Sequence, residues 1–288
     1  MAVAISHQRR AARGNGVGIV LYAVTLVAEL PSYVARAFLS IIPLLILGKV
    51  SGLPSSWPNA LAVLLGVFPL AWSLIGAIWP ASSGWWWKSR SGGRDPSQRE
   101  RQAVADAFAP LAAHHPGLGM AAHWFVLDTG EIDAAVLGRS LMLSRGLIDS
   151  DSLGCVLAHE LGHYHSTDGH LTAAINRLVP WPDPLGGTQR TRSGLIFWIF
   201  RGAFWVAGGG AGLFFLQPLW GSYWREREYL ADAYAAQLGV GEQLAHALET
   251  EILVYDRPVP FLWMSKHSHP PTELRVDRLR AITAGPST

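Results

Sequence analysis

A chain of 288 residues has room for one catalytic unit plus membrane segments, but not for two large independent domains. Half of it is hydrophobic and only 15% is charged, a balance tilted toward the bilayer, while a net charge of +2 with no basic stripe among aromatics argues against nucleic acid as a partner. The single cysteine, Cys155, excludes an intramolecular disulfide and a cysteine-rich zinc site, so any metal has to be held by histidine and carboxylate.

Residues 1–87 read as an N-terminal tail and a transmembrane hairpin. Arg9, Arg10 and Arg13 precede an apolar region from Val17 to Gly48 that is too long for the core of a signal peptide. Glu29, Pro31 and Arg36 interrupt it, which places the first span at about 33–48, with a kink allowed at Pro31 and the earlier part at the interface. A second span, about 59–80, has no charged residue. The loop between them holds only Lys49, whereas Lys88, Arg90, Arg94, Arg99 and Arg101 follow the second span, so both ends of the hairpin are expected on the cytoplasmic side of the cell membrane, with the N-terminus and the catalytic domain. Trp85, Trp86 and Trp87 then belong to the interfacial aromatic belt. The alternative is a buried hairpin in a soluble protein.

Composition makes 88–98 a linker, after which 99–288 is expected to form one domain. Helical spacing follows in RERQAVADAFAPLAAHH, and alternation in AAHWFVLD, IDAAVLG and SLMLSRGLI predicts two or three strands with a turn at Asp128, Gly130 and Glu131. Asp149 to Ser152 then start a helix that is expected to stop at Gly169. On it His159 and His163 are four residues apart and share a face, so two imidazoles can reach one zinc ion. Glu160 lies one step around, placed to take a proton from the attacking water and pass it to the leaving amine. Two polar residues on a helix surface would be the plain alternative, but the run VLAHELGH is apolar, and burying these groups without a shared partner is costly.

A catalytic site needs a third protein ligand. In WREREYLADAYAAQLG, Glu228 is expected to bind the metal and Asp232, four residues on, to receive the free N–H of a ligand histidine. Glu226, His165 and His170 are the other candidates for the third ligand. Cys155, one turn before His159, is read as a small buried residue in preference to a thiolate on zinc.

Three segments in order, HELGH at 159–163, EYLAD at 228–232 and SHPPTELRVDRL at 268–279, resemble the signatures of the HtpX-type and CAAX-prenyl-protease-type membrane zinc endopeptidases, over roughly residues 98–283. The resemblance implies an α+β fold: a mostly helical, gluzincin-type zincin domain with a small sheet, one Zn²⁺ per chain, and the membrane hairpin in front. It also implies that the strand Ala134, Ala135, Val136, Leu137 and Gly138 borders the cleft and takes a protein or peptide substrate as an added antiparallel strand. Asp133 stands where the family often has asparagine. His269 and Arg275 match the third motif, which implies an oxyanion donor in His269 and a carboxylate partner, Asp232 or another, for Arg275.

His163 and Glu228 must meet, so the chain between them crosses the bilayer an even number of times or not at all. The apolar run 194–220, broken by Arg201 and the glycines at 208–212, is therefore expected to be a re-entrant or interfacial insertion. A BlaR-type sensor peptidase and a catalytically silent zinc-stabilised scaffold are the competing functions. The presence of Glu160 speaks against the scaffold.

Overall fold

The computed structural model describes residues 2–52, 54, 56–166, 168–178, 211–250 and 269–284. Helix α1, Ala2–Ser51, and helix α2, Ser56–Ile78, form the hairpin. The candidate spans within them are Asn15–Ser51 and Ser56–Ile78, whose apolar 18-residue stretches have mean hydropathies of 1.8 and 2.2. Their outer faces are apolar and open, as at Val20, Ile42, Val63 and Phe68, which suits contact with lipid chains. Gly66 lets the pair close up: a Cβ there would stand 2.9 Å from the Tyr33 carbonyl.

The first half of α1 differs from the expected interfacial segment. It continues as one helix through Pro31, and its Leu21 and Tyr22 are buried among Leu171, Ala174, Trp220 and Tyr223. Thr25 and Glu29, which interrupt the apolar pattern of the sequence, lie inside the protein and not against lipid. Both are buried, and Thr25 accepts a hydrogen bond of 2.9 Å from the Trp220 indole.

Helix α3, Ala81–Ser91, carries the tryptophans and runs into the segment read as a linker. Trp85 is exposed as expected of a belt residue, but Trp87 is buried beneath the sheet with Phe125, Leu137 and Met142. Nor is the rest of 88–98 free. The Arg94 and Val126 backbones bond to each other, and the Arg94 guanidinium spans Glu100 and Asp128. Helix α4, Gln98–His114, opens on a capping box between Ser97 and Glu100.

The predicted strands form a three-stranded sheet: β1, His123–Leu127; β2, Ala134–Leu137; β3, Ser140–Ser144. The order is β1-β3-β2, with β3 parallel to β1 and antiparallel to β2. Gly138 lies outside β2, in the turn to β3, where its φ of 68° suits a residue without a side chain. After the short helix α5, Arg145–Ile148, come α6, Leu153–Tyr164, and α7, Asp168–Leu178. The motif helix thus ends at Tyr164, earlier than Gly169, because residues 168–178 form a second helix packed on α2.

Helix α8, Ala211–Gln237, is continuous from the apolar end of the 194–220 run to the EYLAD segment; residues 194–210 of that run lie outside the described residues. Helices α9, Gly241–Thr250, and α10, Thr272–Thr283, complete the domain. The main core joins Val126, Leu141 and Leu143 of the sheet to Leu157 and Leu161 of α6, Ala235 of α8, and Val276 and Leu279 of α10. This packing fixes α6 and α8 side by side.

Candidate metal centre

Helix α6 contributes His159 and His163, and α8 contributes Glu228. The Nε2 atoms of His159 and His163 stand 3.4 and 3.3 Å from the two Glu228 carboxylate oxygens, and one ligand atom from each residue can be chosen within 4.8 Å of the others. The remaining ring nitrogens are held from behind. His159 Nδ1 is 2.9 Å from Asp232 Oδ1, and His163 Nδ1 is 3.0 Å from Asp168 Oδ2. A carboxylate behind each imidazole favours the tautomer that leaves Nε2 free to bind a metal, by a hydrogen bond at His163 and by the close approach of Asp232 at His159, whose Nδ1 has no hydrogen bond of proper geometry.

The donor set fits a divalent cation. Oε2 of Glu228 is buried with no hydrogen-bond partner of proper geometry, although His269 Nδ1 lies 2.9 Å away and Arg275 Nη1 3.4 Å away. A buried carboxylate oxygen facing two imidazoles is what a zinc ion would satisfy. The titration properties agree. Burial opposes charging of His159 and His163, yet bonds to Asp232, Asp168 and Glu228 outweigh it and raise both. Burial also opposes ionisation of Glu228, but the charge of His269 and the close approach of the His159 and His163 rings hold its carboxyl well below the usual range. The site favours positive charge.

The sequence candidates separate cleanly. Glu226 is exposed on the other side of α8. His165 Nε2 bonds the Gly119 carbonyl and His170 Nδ1 the Ala77 carbonyl, so neither joins the cluster. Cys155 is in the core with its thiol on the Ser152 carbonyl. Arg275 makes a two-pronged pair with Asp232, at 2.9 and 2.7 Å. His269 sits half exposed over Glu228. Glu160 is buried one residue after His159.

Sequence reasoning missed the support behind His163. Asp168, the first residue of α7, also takes Arg227 Nε at 2.6 Å and a 3.4 Å hydrogen bond from the Tyr223 hydroxyl. Tyr223 and Arg227 are four apart on α8, as are Glu228 and Asp232, so two adjacent stripes of one helix serve the two histidines. The available signal was an acid placed after the HELGH turn, in HSTDGH, with an arginine preceding Glu228.

Asp133 precedes β2, its backbone paired with Ser144 on both sides. Its carboxyl is pushed up to about 6, first by burial and then by the charge of Glu160, against the Ala134 N–H and His269. A carboxyl with a raised folded pKa stabilises the protein below its unfolded pKa, and that contribution is lost as pH rises through the folded value. Asp133→Asn is therefore expected to melt like the parent near pH 4 and to be more stable at pH 7.5, by up to about 3 kcal/mol. Thermal melts at the two pH values check this, and an equal difference at both would contradict it.

The model of peptidase family M48 matches residues 95–283, well over half of the chain. No curated protein matches. Among solved structures, the crystal structure of S. mikatae Ste24p is similar at 17% identity and a TM-score of 0.41, covering 91% of this chain and 66% of that one, just short of two thirds of its length.

Proposed function

The chain belongs to peptidase family M48, and from that premise we propose a membrane-embedded zinc endopeptidase that hydrolyses peptide bonds of membrane or misfolded proteins. M48 members are zinc metallopeptidases, and the two apolar helices associate this one with the membrane. The sensor-peptidase and scaffold alternatives lose their ground with the family. The observation that carries the reading is the convergence of two Nε2 atoms on Glu228, each imidazole backed by a buried carboxylate, beside the buried Glu160.

In this reading His159, His163 and Glu228 hold one zinc ion. When bound, the metal supplies Lewis acidity that polarises the scissile carbonyl and acidifies water. Glu160 accepts the proton of the attacking water and returns it to the leaving amine. His269, half exposed over Glu228 at the cleft mouth, donates to the developing oxyanion. Asp232 and Asp168 hold the imidazoles in register, and Arg275 fixes Asp232. The substrate adds as an antiparallel strand to β2, Ala134–Leu137, whose partner among the described residues is β3 alone.

The site lies where α1 begins to pack on α7 and α8 and where α2 ends. That placement, with the basic residues flanking the hairpin, supports a cytoplasmic N-terminus and catalytic domain. The test is cleavage of an unfolded casein by the detergent-purified full chain with zinc removed and restored. Activity is expected to vanish on chelation and to return with one zinc per chain. Cleavage that survives complete zinc removal would sink the reading.

A further inference from the structure

Arg177, near the end of α7, is an arginine in an unusual setting. It is 4% exposed, and its Nε and Nη1 are buried without a hydrogen-bond partner among the described residues. Its Nη2 donates to the Ser82 hydroxyl at 2.7 Å, and its guanidinium lies 4.3 Å from the centre of the Trp72 ring. No carboxylate among the described residues forms an ion pair with it. Beside Ser82, the Ser83 hydroxyl is also buried without a hydrogen-bond partner among the described residues. Burial pulls the guanidinium below its ordinary pKa, as expected of a desolvated cation with no carboxylate partner among the described residues.

The depth of this group is set by α2. Helix α7 runs antiparallel to the last turns of α2: His170 meets the Ala77 carbonyl, Ser73 bonds the Ala174 carbonyl, and Arg177 reaches Trp72. The span ends at Ile78, 81% exposed, followed by Trp79, 63% exposed, and then by Ser82 and Ser83. Arg177 thus folds along the helix end toward the level where hydrocarbon gives way to headgroups. A buried guanidinium demands an anion. At this depth the abundant anion is phosphate, which the planar fork can grip with two donors while a serine hydroxyl supplies another.

We propose that Arg177, with Ser82 and Ser83, forms a binding site for the phosphate of an anionic phospholipid headgroup at the cytoplasmic end of α2. The site is separate from the metal centre. It rests on membrane association and on the sidedness proposed above, not on the peptidase chemistry, so either reading can fail alone. The lipid would tie α7 to the bilayer surface, and α7 begins at Asp168, which backs His163.

The test is native mass spectrometry of the detergent-purified full chain titrated with short-chain phosphatidylglycerol, phosphatidylcholine or inorganic phosphate. One phosphatidylglycerol per chain is expected, with phosphatidylcholine, whose choline offsets the charge, at least about tenfold weaker. Arg177→Gln is expected to weaken phosphatidylglycerol about tenfold and Arg177→Lys, which keeps charge but loses the fork, about threefold. Wild-type affinity in Arg177→Gln, or equal binding of both lipids, would overturn the proposal. Saturation by inorganic phosphate below the lipid concentration required would assign the site to free phosphate instead. Should Arg177→Gln not yield folded protein, Arg177→Lys and Ser83→Ala decide: wild-type lipid affinity in both overturns the site.

Discussion

Glu160→Gln is expected to reduce peptide hydrolysis by at least about a thousandfold while leaving zinc at one per chain. The substitution is nearly isosteric and keeps a polar group at the same buried place on α6, but an amide cannot accept the proton of the attacking water. The metal cluster is independent of Glu160, since His159, His163 and Glu228 are held by Asp232, Asp168 and one another. Zinc content and activity therefore come apart in this variant, whereas a lesion in the fold would lower both together. Kinetics on a quenched peptide, with metal measured on the same sample, make the comparison. Activity near that of the parent at equal zinc content would remove Glu160 from the proton transfer.

What the sequence made legible was the local chemistry. The i, i+4 spacing of His159 and His163 in an apolar run, and of Glu228 and Asp232 in another, placed four side chains on two helix faces, and the structure brings those faces together. The apolar runs bounded by turn residues likewise marked two or three strands where the structure has three, although a sheet covered on both sides by α3 and α6 shows little alternation in residue type. Tertiary placement was less visible. Asp168 serves His163 from the start of another helix, a relation that depends on the break in the helix after Tyr164. Trp87 looked interfacial because it adjoins a span, yet its side chain turns under the sheet. Glu29 and Pro31 looked like breaks in a membrane helix, but a helix that packs against α7 and α8 can carry polar groups on its inner face. Pattern reports how a residue meets its neighbours along the chain. It does not report which distant element covers it.

Arg275→Ala is expected to have the second large effect, and on two measurements at once. Asp232 is 3% exposed and shared between His159 Nδ1 and the Arg275 fork. Burial opposes its ionisation, and the Arg275 charge is the first of the interactions that nevertheless hold its carboxyl low. Removing the guanidinium strands that carboxylate in the interior, which costs about 3–5 kcal/mol when one member of a buried pair is deleted. It also releases the group that orients His159, so zinc affinity is expected to fall by roughly 10–100-fold. Arg275→Lys restores a charge without the two parallel donors and should recover only part of each loss. Thermal melts of the zinc-loaded protein, paired with chelator competition, separate the two effects. An alanine variant that melts and binds zinc like the parent would mean that Asp232 is held by His159 alone, and that the pairing of α10 with α8 is dispensable for the centre. The large expected loss explains why a motif more than forty residues beyond Glu228 accompanies the histidines in this chain: the Arg275 fork of α10 is the outermost layer of a relay that ends on His159.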